Sequence, residues 1–227
     1  MSIRDQVREQ LKCSDTVRRH TLLCALMGAA VTLGAPGALA VTGSSQTDTG
    51  KVSTASVKPL GPLGPLTALV IERLLVSDQV AASKFGIGRP IDDPARERQV
   101  LEEVKLQAGS LGLDPDATVS FFRDQITASK VVQKGLFVRW TAHPDEAPTT
   151  RPDLTQIRTQ LDQITAELLQ ELKATRNLRE SALSCNLQLA LATQSGIAVN
   201  GLDRLHRQAL RGATDSVCVT STGDQHL

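Results

Sequence analysis

Apolar residues recur along this chain at spacings of three and four, and seldom at spacings of two. Leu154, Ile157, Leu161, Ile164, Leu168 and Leu172 form the clearest series, and at ~3.6 residues per turn they share one helical face. A helix opened by Asp153 and running to about residue 181 is expected there. The stretch from Leu66 to Val76 is mostly apolar around its whole circumference, so a first helix at about 65–85 belongs on or beside the core. Pro65 suits its first turn, and Gly86, Gly88 and Pro90 break it. Asp92 or Asp93 caps a second helix, about 94–111, which Gly112 ends. Asp114 with Pro115 opens a third, about 115–141, and a polar loop follows at 144–152. Two shorter helices are expected at about 184–193 and 202–217. No segment alternates with period two. The expectation is all-α: a single-domain helical bundle of about six helices.

The N-terminus adds a targeting segment. Arg18-Arg19-His20 ends a charged region, Thr21 to Gly34 is small and apolar, and Ala38-Leu39-Ala40 fits the small-x-small cleavage rule. Residues 1–40 are read as a signal peptide, too short and Gly-interrupted for a lasting membrane span. Residues 41–60 are a Ser/Thr-rich linker with little to bury, and residues 61–222 are the functional domain. Cleavage removes Cys13 and Cys24 and leaves Cys185 and Cys218. In an exported chain that pair is most simply a disulfide, the alternative being two buried thiols. The 25 Lys/Arg nearly balance the 24 Asp/Glu, and aromatics are 2% of residues. Such a chain lacks the basic surface and stacking platforms of a nucleic-acid binder. After cleavage nothing remains to hold it at a membrane.

Charge inside the helical pattern is the informative exception. Arg73 and Lys84 lie eleven residues apart, three turns on one face of an otherwise apolar helix. Arg96 falls in the first turn of the second helix with Asp93 three residues earlier. Ser129 and Gln133, at i and i+4, are neighbours on the third helix, and Arg158 sits beside Ile157 and Leu161 on the fourth. Cations held at a core face are destabilising unless a partner neutralises them. Arginine forks suit carboxylates, and a Lys and an amide remain for a polar atom between them. The set is a kit for a small dicarboxylate.

Those residues carry a resemblance. Glu72-Arg73-Leu74, Ser77-Asp78-x-Val80-Ala81-Ala82-x-Lys84 and Pro90-Ile91-Asp92-Asp93-x-x-Arg96 occur in order. They are followed by Phe122-x-Asp124-Gln125-Ile126-x-Ala128-Ser129-x-x-x-Gln133, Arg139-Trp140 and Asp153-Leu154-x-x-x-Arg158-x-x-Leu161-Asp162. About half the chain thus resembles the helical chorismate mutases, especially their exported single-domain type. The resemblance implies an isomerase that rearranges chorismate to prephenate, a step of aromatic amino-acid synthesis, with no cofactor, no metal and no covalent intermediate. It implies that Arg73 and Arg158 hold one carboxylate and that Arg96 helps hold the other. Lys84 and Gln133 would donate to the ether oxygen whose bond breaks, and Ser129 and Asp93 would orient the hydroxyl or the cations. Gln133 stands where some relatives carry Glu; an amide donates at any ordinary pH, whereas a Glu must be protonated. It further implies a site inside each subunit among helices at about 65–172, and structural helices at about 184–218 pinned by the Cys185–Cys218 bond. A homodimer, and a location in the periplasm or outside the cell, follow from the same resemblance.

Two rival functions fit the same residues: an exported, non-catalytic module binding a small dicarboxylate, and a bundle that docks on a host protein. In the second, Asp93, Glu72 or Asp162 would neutralise the arginines internally. Lys130, Lys134, Lys173 and Arg179 read as solvated helix positions, Phe85, Phe121, Phe122 and Trp140 as core or capping hydrophobes. His143, His206 and His226 lack metal-ligand spacing.

Overall fold

The computed structural model describes residues 58–218, so the leader and most of the linker lie outside the described residues. Seven helices follow in order: α1 (Gly64–Lys84), α2 (Pro94–Leu111), α3 (Pro115–Ala142), α4 (Leu154–Ala174), α5 (Arg176–Arg179), α6 (Ala182–Asn200) and α7 (Arg204–Ala213). No strand occurs among the described residues. The all-α expectation holds, with the one-turn α5 beyond the six helices expected.

Because α1 is apolar on most sides, it becomes the axis of the bundle. It packs against α3, α4, α6 and α7, and Leu66, Val70, Ile71, Leu74, Val76 and Ala81 are buried along it. The long α3 also supports α2 and α7. Phe121, Phe122, Ala128 and Val132 form its buried face, and Phe85 beyond the end of α1 stacks edge-on against Phe137 and Trp140. The helix starts follow the acids: Asp93, Asp114 and Asp153 each accept a backbone N–H, from Arg96, Ala117 and Thr155 respectively. Gly112 ends α2 at φ 73°, where a Cβ would be strained.

The C-terminal third departs from the expectation in three ways. The fourth helix was expected to reach about residue 181 but α4 stops at Ala174. There the Thr175 hydroxyl donates back to the Glu171 carbonyl at 2.6 Å, and Arg179 folds over the helix end to the carbonyls of Leu172 (2.9 Å) and Val217 (3.3 Å). Arg179 is therefore not the solvated side chain its sequence position suggested; burial lowers its pKa. The next helix, α6, continues to Asn200 past Thr193, Ser195 and Gly196, which look like breakers. Thr193 and Ser195 return their hydroxyls to carbonyls of their own helix. Gly196 lets α6 lie close to α1: a Cβ there would fall 2.6 Å from Ile71 Cδ1. Finally, α7 occupies only the middle of the expected 202–217 helix.

Cys185 near the start of α6 is bonded to Cys218 beyond α7, so the expected disulfide is present. At the other end Pro59 is buried and the Leu60 amide donates to Ser195 Oγ at 2.8 Å, so the last residues assigned to the linker dock on α6.

Candidate active site

A cavity of about 430 Å³ opens between α1, α2, α3 and α4. All seven residues singled out from the sequence line it: Arg73, Lys84, Asp93, Arg96, Ser129, Gln133 and Arg158. Helical periodicity brings them together. Arg73 and Lys84 face inward from one side of α1, Arg96 enters from the first turn of α2, Ser129 and Gln133 stack one turn apart on α3, and Arg158 enters from the start of α4. Val80, Ile91, Val100, Ile126, Leu154 and Leu161 supply apolar wall between them. The volume suits a small-molecule site.

Electrostatically the cavity is under-neutralised. Arg96 reaches Asp162 at 3.7 Å, and Lys130 binds Glu97 at 3.0 Å and Asp92 at 3.5 Å. Arg73, Lys84 and Arg158 form no ion pair among the described residues. Arg73 is 8% exposed; its Nη1 has only long, 3.4 Å contacts to the Leu161 carbonyl and Thr165 Oγ1, and its Nε is buried without a partner. Burial brings its pKa down to about 10, partly offset by Asp162, so it stays charged at neutral pH. Lys84 Nζ donates to the Ile91 carbonyl at 3.3 Å. Its pKa is lowered, chiefly by burial and further by the Arg158 charge, with Asp93 working in the opposite direction.

Two expectations change in detail. Asp93 does not orient the Arg96 guanidinium; it caps α2 through the Arg96 backbone N–H at 3.1 Å. Asp162, with its carboxylate on the guanidinium, takes that part. Glu72 does not neutralise the site, since it is exposed and lines a different cavity with Glu167 and Glu171.

Sequence reasoning missed Arg89, Glu97, Lys130 and Thr165, all in the wall. The sequence pattern makes Lys130 a solvated helix position. It is half-buried, and hydrogen bonding to Glu97 raises its pKa. Its position next to Ser129 and three before Gln133 was the available signal. Arg89 lies in a loop, where no periodicity points to a direction.

The fold and the site define a helical-bundle protein with an intrachain cavity suited to a small, doubly charged anion. Residues 65–134 match the family model described as chorismate mutase type II. The chain is 35% identical over 164 residues to the secreted chorismate mutase of Mycolicibacterium smegmatis, covering 72% of this chain and 90% of that protein. It is 34% identical over 172 residues to the secreted chorismate mutase of Mycobacterium tuberculosis, covering 71% and 86%. The crystal structure of chorismate mutase from Burkholderia phymatum superposes with a TM-score of 0.66 at 35% identity, covering 70% of this chain and 97% of that one. The chain belongs to the chorismate mutase family.

Proposed function

We propose that this chain is an exported chorismate mutase that converts chorismate to prephenate inside the α1–α4 cavity. The observation that carries the reading is the presence of four cations without carboxylate partners among the described residues, Arg73, Lys84, Arg89 and Arg158, around one cavity with the Gln133 amide. Arg73 and Arg158 approach from α1 and α4 and hold one carboxylate; Arg96, steadied by Asp162, serves the other. Together they keep the enolpyruvyl arm folded over the ring, removing an orientational cost. As the C–O bond lengthens, negative charge grows on the ether oxygen, where Lys84 and Gln133 donate. Fixed donors at that point bind the transition state more tightly than the substrate. Even the low end of enzymatic acceleration requires about 8 kcal/mol of such differential stabilisation. No nucleophile or proton transfer is needed.

Ultraviolet loss of chorismate with appearance of prephenate tests this directly. The purified protein turns over, and Lys84→Ala folds with the same helix content yet loses nearly all kcat. Binding without turnover would leave a carrier module in its place; near-wild-type turnover of Lys84→Ala would remove the assigned chemistry. Relatives named as secreted support export, and no helix among the described residues is long and apolar enough to cross a membrane. Leader removal after Ala40, ahead of a linker and a domain at 61–222, belongs to the same proposal. So does a homodimer: α6 carries no charged residue, and Leu183, Leu187 and Leu191 are exposed along it.

A further inference from the structure

Residues 86–93, between α1 and α2, supply Arg89, Pro90, Ile91 and Asp93 to the cavity wall, although residues 86–90 are all exposed. The Ile91 carbonyl accepts from Lys84 Nζ at 3.3 Å, and Asp93 caps the helix that carries Arg96. Between those two residues stands Asp92, which does not line the cavity. Its carboxylate meets two lysines of α3: Oδ2 lies 3.0 Å from Lys134 Nζ and Oδ1 lies 3.5 Å from Lys130 Nζ. Among the described residues, no other hydrogen bond or ion pair joins 86–93 to a helix beyond the two it connects.

A lysine ammonium is a point charge on a flexible four-carbon stem, so its helix alone does not fix where it sits. Lys84 is the last residue of α1, and the Ile91 carbonyl is its one hydrogen-bond acceptor among the described residues. The place of that carbonyl depends in turn on how residues 91–93 rest against α3. Exposed ion pairs usually add little to stability, but they can set local geometry when they form a network. Here Lys130 also binds Glu97, in the first turn of α2, at 3.0 Å. Hydrogen bonding to Lys134 lowers the Asp92 pKa, so the carboxylate is ionised at neutral pH.

We infer that Asp92 is a positioning residue: latched to α3 through Lys134 and Lys130, it holds the Ile91 carbonyl, and with it the Lys84 ammonium, in place for the substrate. This rests on the mutase reading above, in which Lys84 donates to the ether oxygen. Asp92 also acts on Lys84 through its charge, and the signs separate the two roles. Loss of the Asp92 charge lowers the Lys84 pKa, whereas loss of the Lys134 charge raises it or leaves it unmoved. A latch needs both partners, so the loss of either slows turnover.

The test reads kcat on the plateau below each variant's own alkaline limb, where Lys84 is fully charged. Asp92→Asn lowers that plateau about two- to fivefold, the range an exposed network supplies, with KM within about twofold. Lys134→Met lowers it in the same direction by about twofold, although Lys134 lies outside the cavity wall. The double variant is no slower than Asp92→Asn, because the latch is already broken. An unchanged plateau in Asp92→Asn overturns the inference, as does a Lys134→Met variant at or above the wild-type rate. Losses that multiply in the double variant overturn it too. Wild-type protein that makes no prephenate defeats the mutase reading instead, a separate result.

Discussion

Lys84 is the last residue of α1 and the group whose charge matters most to the proposed chemistry. Burial and Arg158 hold its pKa below the usual lysine value, and Asp93 limits that fall. The expected consequence is an alkaline limb in kcat/KM, with activity lost as pH climbs through the lowered pKa. Replacing Asp93 with Asn keeps a good cap for α2 but removes the carboxylate that favours the ammonium. The limb then moves to lower pH in Asp93→Asn, and a pH–rate profile with an unmoved limb contradicts the electrostatic argument. Six of the seven site residues were legible because each sits on a helix whose apolar pattern fixes its direction, and Asp93 was legible as the cap just ahead of one. Lys130 was not, because a lysine beside a core face and a lysine in water look alike until Glu97 is seen opposite. Arg179 and His206 escaped for the same reason: the Val217 carbonyl and Asp78 that hold them lie 38 and 128 residues away in sequence.

At the level of helices, punctuation decided what could be read. Every Asp–Pro start and the Gly112 stop were visible in the chain, since caps act on backbone groups within a few residues. The end of α4 was not, because neither Gly nor Pro marks it; a threonine back-bond and the folded-back Arg179 do. The length of α6 was hidden because Gly196 reads as a breaker, although it is a packing residue against Ile71. That helix also bears on assembly. Leu183, Leu187 and Leu191 are 75%, 63% and 45% exposed along a helix without charge, so a second copy meets no like-charge repulsion there. Sedimentation of the wild-type protein as a dimer, and of Leu187→Lys as a monomer with turnover retained, is expected. Turnover persists because all seven assigned site residues come from the same chain. A monomeric wild type removes the homodimer, and a dimeric Leu187→Lys places its interface elsewhere.

Across the whole molecule, the C-terminal helices are tied to the catalytic bundle at separate points. The Cys185–Cys218 bond joins α6 to the chain beyond α7, and Asp124 of α3 accepts from the Ser216 amide at 3.2 Å. The third tie is ionic. His206 on α7 has an 8% exposed side chain, with Nδ1 2.8 Å from Asp203 and Nε2 3.0 Å from Asp78 on α1. Hydrogen bonding to Asp78, opposed by burial and reinforced by Asp203, raises its pKa from 6.5 to about 9. A group whose folded-state pKa is raised contributes stability that is fully present below its unfolded value. That contribution is lost as pH rises through the folded value. The clamp therefore acts in full below about pH 6.5, weakens between there and about pH 9, and is gone above. Both carboxylates are more than a third exposed, so solvent screening reduces the linkage to roughly 2 kcal/mol. Denaturant melts of wild type and His206→Gln should differ by about that amount at pH 6 and converge toward pH 10. A gap independent of pH would mean that the imidazole contributes by packing alone. Because α7 lies against α1 and α3 on sides the cavity does not use, kcat at neutral pH should survive the substitution even as the melt moves.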